Sequence, residues 1–310
     1  MATLRDIRTR IGSVKSTQQV TRAMKMVAAA KLRRAQENIF KTRPYAYKLS
    51  EIIGHFRREG RFDPSSHPLF LQREDVSGAL LIVITADRGL AGAFNTNVIK
   101  SAEETVRQSY SAISAAGRLR IVAVGRKAHE YFGKRDFTLV GDFRGIFRDL
   151  RFAIAQEIGD LAVSGFTGGE WDEVFVVYNE FKNTIAQNRI VEPLLPIPHE
   201  QFLTPVMDAE GVRRPELREG VVADYIFEPD IRSALDVLVP RYVNYKIWRA
   251  LLESNAAEQG ARMVAMDSAT SNAGELLRSL RLEYNRARQS AITSEILEII
   301  SGANALEETS

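Results

Sequence analysis

The residues whose types and spacing could do chemistry lie in one short stretch, Ile84–Asn95, with the sequence ITADRGLAGAFN. An apolar run precedes it and an amphipathic run follows it, so the stretch is predicted to be a strand-to-helix turn. Such a turn can bind a phosphate through backbone N–H groups at the helix N-terminus. However, it is neither a Walker loop nor a full GxGxxG pattern, and no lysine occupies the phosphate-gripping position. The alternative is a structural turn in which Gly89 and Gly92 allow close packing.

Other residues that could support catalysis or metal binding are few. Asp87 and Arg88 in the same turn could serve acid–base or anion chemistry, but turn formation and helix capping are the favoured interpretation. The chain contains no cysteine, which excludes disulfides, thiolate metal sites and thiol catalysis. We expect no metal site, because the four histidines include no pair at helical metal-ligand spacing; they are His55, His67, His129 and His199.

The charge of the chain is concentrated at its N-terminal end. The whole chain has a formal net charge of +3, whereas Met1 to Arg61 contains fifteen Lys or Arg against four Asp or Glu, or +11, which leaves −8 for the rest. A basic segment of this kind seeks nucleic acid, anionic lipid or an acidic protein cavity. Its basic residues fall on several helix faces without interleaved aromatic residues, which favours an acidic protein surface. The longest apolar run, Ala79–Ile84, is far shorter than the ~20 residues of a membrane-spanning helix, so membrane contact is expected only through partners.

Two long helical segments bracket the chain. In Leu4–Arg58, apolar or small residues recur mostly every three or four positions, as on one face of a helix. The same spacing returns from about residue 229 to 305. At ~1.5 Å per residue these helices would span roughly 75 and 100 Å, so each stripe needs a partner. We expect an antiparallel coiled coil in which the C-terminal end of the longer helix projects past its partner.

Between these helices the pattern changes to alternating strands and helices. Three continuous apolar runs predict buried strands of a parallel or mixed sheet: Gly78–Thr85, Leu119–Val124 and Val174–Tyr178. Amphipathic stretches predict the covering helices, and a further strand is expected near the end of the region; these are Phe94–Ser114, Gly145–Val163 and Ile185–Leu195. The predicted fold class is α/β, with a long antiparallel coiled coil of N- and C-terminal helices and an inserted Rossmann-like α/β domain.

We therefore predict three domains. Residues 1–60 form the N-terminal coiled-coil helix, 61–228 the central α/β domain and 229–310 the C-terminal coiled-coil helix. Within the central domain, residues 61–77 contain several Pro and Ser and are interpreted as a linker. The polar, turn-rich residues from about 201 to 222 are interpreted as an exposed loop or hairpin.

Four stretches of the chain resemble one known family. Thr17–Gln36 (TQQVTRAMKMVAAAKLRRAQ) and Tyr284–Leu306 (YNRARQSAITSEILEIISGANAL) are similar to the terminal helices of the γ subunit family of F-type ATP synthases. Ala257–Ala273 (AEQGARMVAMDSATSNA) and Ala86–Asn95 (ADRGLAGAFN) are similar to that family too. The resemblance covers nearly the whole chain in order, and the terminal motifs are highly specific.

This resemblance implies a function as well as a fold. It implies a central rotor shaft that couples proton flow through the membrane sector to ATP synthesis or hydrolysis at the β subunits by rotation. The implied partners are three α subunits, three β subunits, the ε subunit and the c-subunit ring. The chain itself is then expected to have no catalytic residues and no cofactor. The alternatives are a nucleotide-binding α/β protein and a basic coiled coil that binds nucleic acid with strongly salt-dependent affinity.

The resemblance also implies contacts for matching positions. Met24 would face the lever segment of a β subunit, with Arg262 on the neighbouring face of the shaft. Arg288 and Gln289 would meet an acidic catch loop of a β subunit, where a planar guanidinium suits carboxylate pairing. Further contacts are implied for the same upper zone and for the apolar bearing at the helix end; they are Thr293, Glu295 and Glu298, and Ile296 and Ile299 within residues 296–305.

The chain departs from some relatives in ways that shape these expectations. Chloroplast members carry a redox-regulatory cysteine pair, which is absent here. No transit peptide is seen at Met1, so we expect a peripheral location on the cytoplasmic side of a bacterial inner membrane. The stretch at about residues 201–222 looks longer than is usual for this family, which affects how the base would meet the ε subunit and the c ring.

Overall fold

The computed structural model describes residues 3–58, 67–198, 204–209 and 230–307. A long helix near each end of the chain and a five-stranded mixed sheet between them confirm the predicted fold class. The residues group into two compact units, one formed by Met1–Val27 with Met263–Ser310 and the other by Ala28–Arg262. We call them the helix-pair unit and the sheet unit. The domain boundaries at residues 60 and 229 stay a prediction.

The helices and strands are numbered in chain order. The helices are α1 (Leu4–Arg58), α2 (Phe94–Ser109), α3 (Ser111–Ala115), α4 (Arg126–Phe132), α5 (Phe152–Gly168), α6 (Pro205–Ala209) and α7 (Ile231–Glu307). The strands are β1 (Ala79–Ile84), β2 (Leu119–Val124), β3 (Thr138–Leu139), β4 (Glu173–Phe181) and β5 (Gln187–Leu195). Both α1 and α7 continue from one unit into the other. None of the helices in the described ranges is both long and apolar enough to cross a membrane.

The sheet has the strand order β3-β2-β1-β4-β5. β3, β2, β1 and β4 run parallel to one another, and β5 pairs with β4 in the antiparallel direction. In β1, Leu80, Ile82 and Ile84 belong to the apolar core on one face, while alternate residues belong to the core on the other. A continuous apolar run therefore forms this strand because both of its faces are buried.

Different helices cover the two faces. On one face α5 packs with residues from α1 and α7, including Leu49, Ile53 and Val243. On the other, α2 and α4 supply residues such as Val98, Ala102 and Ala128. The long helices thus share the main core of the sheet unit, which fixes this part of them to the sheet.

The segment interpreted as a linker packs against the sheet in its described part, residues 67–77. Leu69 and Phe70 are buried in the main core. Arg73 forms an ion pair with the buried carboxylate of Asp172 and also donates to the backbone oxygen of Phe166 at 2.7 Å. Asp172 further accepts hydrogen bonds from the backbone N–H groups of residues 77 and 78 at 2.7 and 2.9 Å. The segment therefore fastens the starts of β1 and β4 together.

Replacing Asp172 by asparagine is expected to destabilise the purified chain at pH 7 by on the order of 2 kcal/mol. Burial alone raises the pKa of Asp172, but the hydrogen bonds from Arg73, Ser77 and Gly78 outweigh it and lower the pKa from 3.8 to about 2. A lowered pKa adds stability above pH 3.8 that is lost as the pH falls toward 2. Urea unfolding of both proteins at pH 7 and pH 3 should show the difference shrinking at the lower pH. An equal loss of unfolding free energy at pH 7 and at pH 3 would contradict a lowered pKa for Asp172.

The described part of the predicted 201–222 loop differs from the expectation. Thr204 and Met207, at α6, are buried. The N–H of Val206 donates to Glu180 at 3.3 Å, and Arg249 donates to the sulfur of Met207 at 2.8 Å. These contacts hold residues 204–209 against β4 and α7; the rest of the predicted loop lies outside the described residues.

Candidate partner-contact surface

In the helix-pair unit, α1 and α7 contact each other through polar side chains. The hydroxyl groups of Thr21 and Thr270 share a hydrogen bond of 2.8 Å, and Gln18 donates to the backbone oxygen of Thr270 at 3.4 Å. Lys25 and Asp267 form an ion pair at 2.6 Å. As the residue number on α1 increases, the residue number of its contact on α7 decreases. The two helices are therefore antiparallel here.

This register leaves the end of α7 without a partner from α1. Thr21 lies opposite Thr270, and Lys25 lies opposite Asp267. In this register, the residue numbers of two opposed positions add up to about 291. By that spacing Leu4, the first residue of α1, lies opposite a residue near 287. From residue 288 to 301, all positions but one are exposed. The end of α7 therefore projects past α1, as the sequence predicts.

The projecting end of α7 is rich in exposed apolar side chains. Ile296 is 51% exposed and Ile299 is 71% exposed. Other exposed apolar residues of this segment are Ile292, Leu297 and Ile300. Contiguous exposed apolar surface of this kind is typical of a surface that another protein covers. We call residues 288–301 the tip.

The contact residues implied by the resemblance fall into two groups. Most lie exposed on the tip: Arg288, Gln289, Thr293, Glu295, Ile296, Glu298 and Ile299. Met24 is half-buried on α1, next to the ion pair of Lys25. All of these belong to the helix-pair unit, and their contacts with partners stay a prediction. Sequence reasoning did not single out Leu282, which is 63% exposed; Met26 and Val27 on α1 are exposed as well.

The α1 surface of this unit is basic. Its exposed cations are Arg5, Arg8, Arg10, Lys15 and Arg22. The acidic residue of α1 in this range, Asp6, exchanges hydrogen bonds with Thr3 and thereby caps the helix. The cations have no acidic partner among the ion pairs of the described residues, so they are available to an acidic surface.

Arg262 occupies a different environment from the other implied contacts. It belongs to the sheet unit, where it is only 9% exposed. Its guanidinium donates to the backbone oxygen of Gly89 at 2.6 Å and to the carboxylate of Glu258 at 2.5 Å. Its charge is therefore satisfied within the chain.

The strand-to-helix turn after β1 is held by hydrogen bonds to Asp87 from other parts of the chain, and α2 itself has no side-chain cap. Asp87 accepts hydrogen bonds from the N–H groups of Arg126 and Gly145 at 3.0 and 2.7 Å. Gly92 has a positive φ of 58°, a conformation that glycine adopts without strain. Close packing does not explain Gly89, because a Cβ there would meet no atom within 4 Å.

The place where a nucleotide would bind in this topology is filled by α7. The chain leaves β1 for β2 on one side and later returns to β4 on the other, which makes the carboxyl ends of β1 and β4 the topological switch point. There Glu253 of α7 accepts a hydrogen bond from the N–H of Phe181 at 3.2 Å. Ala257 of α7 packs against Ala91 and Phe94. This packing disfavours the nucleotide-binding alternative.

A buried charge network in the sheet unit was not foreseen from the sequence. The carboxylate of Glu192 on β5 contacts Arg249 at 2.5 Å and Lys246 at 3.0 Å, both on α7. It also accepts a hydrogen bond from the hydroxyl of Tyr178 at 2.9 Å. The available signal was the spacing of the charged residues at 246, 249 and 253, which lie three and four positions apart and therefore on one face of the helix. Across the described ranges, no three His, Asp or Glu residues are placed to hold a metal ion.

Comparison with known proteins decides the family. The family model described as ATP synthase matches residues 3–306. The chain is 61% identical to the ATP synthase gamma chain of Salinibacter ruber, with all of both chains covered. The chain belongs to the ATP synthase gamma chain family. It is also 51% identical to the gamma chain of Chloroherpeton thalassium, again over the full length of both chains.

Two solved structures share the fold. One is from the Euglena gracilis mitochondrial ATP synthase (OSCP/F1/c-ring), with a TM-score of 0.62, 21% identity and coverage of 98% of this chain and 94% of that one. The other is from the central stalk and c-ring of the Tetrahymena thermophila mitochondrial ATP synthase, with a TM-score of 0.57, 23% identity and coverage of 81% and 99%. Together with the family match, they confirm the resemblance seen in the sequence. Family membership makes the chain a subunit of an ATPase complex.

Proposed function

We propose that the chain is the central rotor shaft of an F-type ATP synthase. It couples proton flow through the membrane sector to ATP synthesis or hydrolysis at the β subunits by rotating. The observation that carries this proposal is the full-length match to two gamma chains, at 61% and 51% identity. The antiparallel helix pair with its exposed apolar tip supports it, because this surface requires a partner.

The helix pair acts through contacts that differ around its circumference. The α1 face is basic, whereas α7 ends in an apolar tip with carboxylates at Glu295 and Glu298. As such an asymmetric shaft turns, each catalytic subunit in turn meets a different face. Each face stabilises one conformation of that subunit over the others, and this difference in contact free energy is the mechanical coupling. Catalysis belongs to the β subunits, and this chain supplies no catalytic residues.

The tip residues have separate roles in this proposal. Arg288 and Gln289 bind an acidic catch loop of a β subunit, since a guanidinium pairs with carboxylates in a fixed planar geometry. Thr293 and the two tip carboxylates contact the same zone. Ile296 and Ile299 turn within an apolar bearing, and Met24 faces the β lever segment. Arg262 is left out of this contact surface because its guanidinium is satisfied within the chain.

The partners follow from the same assignment. Three α and three β subunits surround the helix pair, and the ε subunit and the c-subunit ring bind the base. The two solved structures that share the fold come from an OSCP/F1/c-ring assembly and from a central stalk with its c-ring, which supports this arrangement. The chain reaches the membrane only through these partners, on the cytoplasmic side of a bacterial inner membrane.

Rotation of the chain tests the proposal. Because the chain has no cysteine, Ser111→Cys introduces a single attachment point on the exposed surface of α3. With the complex fixed to glass through its β subunits, a bead on this cysteine should turn in one direction when ATP is added. The same complex without ATP is the control. A bead that fluctuates in the same way with and without ATP would contradict the proposal.

A further inference from the structure

Arg262 ties α7 to the turn between β1 and α2. Its two hydrogen bonds, to the carbonyl of Gly89 and to Glu258, are both short and shielded from water. Hydrogen bonds from a charged donor are roughly twice as strong as those between neutral groups. Glu258 lies one helical turn before Arg262 on α7, so it fixes the orientation of the guanidinium toward Gly89.

The turn that Arg262 holds has an unusual backbone. Leu90, the residue after Gly89, has a positive φ of 61°, which is uncommon for a residue with a side chain. Its side chain is 67% exposed, so little apolar packing offsets this backbone conformation. Such a conformation persists where surrounding contacts determine it. Here the bond from Arg262 to the neighbouring carbonyl is one of those contacts.

The same turn is bound to the rest of the sheet on its other side. Asp87 accepts hydrogen bonds from the N–H groups that follow β2 and precede α5, at Arg126 and Gly145. Asn95 accepts a hydrogen bond from the N–H of Ala86 at 2.8 Å and so closes the turn. A continuous set of hydrogen bonds therefore runs from α7, through the turn, to the carboxyl end of β2.

The position of this tie along α7 gives it a role. Arg262 is the last residue of the sheet unit on α7, and the helix continues without interruption into the helix-pair unit. We propose that Arg262 is a positioning residue that transmits torque from α7 to the sheet by clamping the turn at Gly89. This inference rests on the proposed rotor function. Its action is internal to the chain and differs from the partner contact that the resemblance implies for this residue.

The experiment must remove the clamp without leaving a buried charge. Losing only Arg262 would strand Glu258, whose pKa is already raised, chiefly by burial and also by the charge of Asp87. The test variant is therefore Arg262→Met with Glu258→Met, which removes both charges together. Glu258→Gln is the matched control, because the glutamine amide oxygen can still accept from Arg262 and so keeps the guanidinium oriented toward Gly89. Arg241→Met controls for the loss of an exposed arginine on the same helix of the same unit.

The measurement is made on the complete ATP synthase in inverted membrane vesicles. In the double variant, proton pumping per ATP hydrolysed should fall by at least about twofold, the lower end of what changes in a coupling network produce. The ratio should be unchanged in Glu258→Gln and Arg241→Met. If the double variant fails to assemble, Arg262→Lys, which keeps the charge but lacks the planar fork, should lower the ratio in the same direction.

The outcomes separate this inference from the rotor proposal. Normal coupling in the assembled double variant, or in Arg262→Lys where only that variant assembles, would overturn the clamp. An equal loss in Glu258→Gln, with the clamp to Gly89 intact, would also overturn it. If the unmodified chain were absent from vesicles that pump protons with ATP, the rotor proposal itself would fail.

Discussion

Replacing Glu192 by alanine is expected to lower the free energy of unfolding of the chain by about 3–5 kcal/mol. Glu192 is 2% exposed, and the change would leave Arg249 and Lys246 buried without their carboxylate. The hydroxyl of Tyr178 would lose its acceptor as well. Removing one member of a buried ion pair leaves a charge without compensation, which costs far more than losing a surface pair. Urea denaturation of the purified chain measures this difference.

The matched control is Glu170→Ala. Glu170 is exposed and lies just before β4, the strand that pairs with β5. Its loss should change the free energy of unfolding by no more than about 0.5 kcal/mol. A loss below about 1 kcal/mol for Glu192→Ala would mean that water reaches the network and that the charges are not held in a buried environment.

The same network gives the stability a pH dependence. Burial alone raises the pKa of Glu192, but the charges of Arg249 and Lys246 outweigh it, so the pKa lies below its ordinary value of 4.5. A lowered pKa in the folded state adds stability that is present above pH 4.5 and is lost as the pH falls through the folded pKa. The stability difference between the unmodified chain and Glu192→Gln should therefore shrink in acid.

The double change Arg288→Ala with Gln289→Ala is expected to lower ATP hydrolysis by the complex by between about twofold and thirtyfold. Both residues are exposed on the tip, so their loss should cost the fold little. In the proposed function they bind the acidic catch loop of a β subunit, and truncation removes that pairing. The purified complex should contain the variant chain in normal amount while its turnover falls.

Arg278→Ala is the control for this prediction. Arg278 is also exposed on α7, but it lies where that helix still runs beside α1. Its loss should leave turnover unchanged. Unchanged turnover in the double variant would remove the assignment of the catch contact, while the rotor assignment would still stand on the family match.

The sheet could be predicted closely where side-chain pattern determines it. The runs predicted at Gly78–Thr85 and Leu119–Val124 correspond to β1 and β2 within one residue. Strands buried on both faces are continuously apolar, so their sequence marks their length. By contrast β3 has only the two residues Thr138–Leu139, too few to form a pattern.

Helix starts were less predictable than helix identity. The helical stretch predicted from Gly145 begins as α5 at Phe152. Gly145 itself has a left-handed backbone, and its N–H is used by Asp87, far away in the chain. A hydrogen bond between residues 58 positions apart leaves no mark in a local pattern. The helix therefore starts later than its apolar spacing alone predicts.

In the candidate partner-contact surface, likewise, only the features that depend on helix length could be predicted from the sequence. The projecting tip followed from counting the lengths of two helices, because an unpartnered stripe must be exposed. The environment of Arg262 could not be counted, since its acceptor, Gly89, lies 173 residues away. Likewise, charges at Lys246 and Arg249 gain meaning only once β5 brings Glu192 beside them. Local spacing predicts which face of a helix is buried, but tertiary packing decides what each buried charge contacts.

Native mass spectrometry of the tagged chain, purified gently from its host membranes, tests the rotor assignment most directly. One copy of the chain bound to three α and three β subunits, with ATPase activity in the same fraction, is the expected result. A chain recovered alone or bound to nucleic acid would contradict the assignment. Bound nucleic acid would favour the alternative of a basic coiled coil that binds nucleic acid.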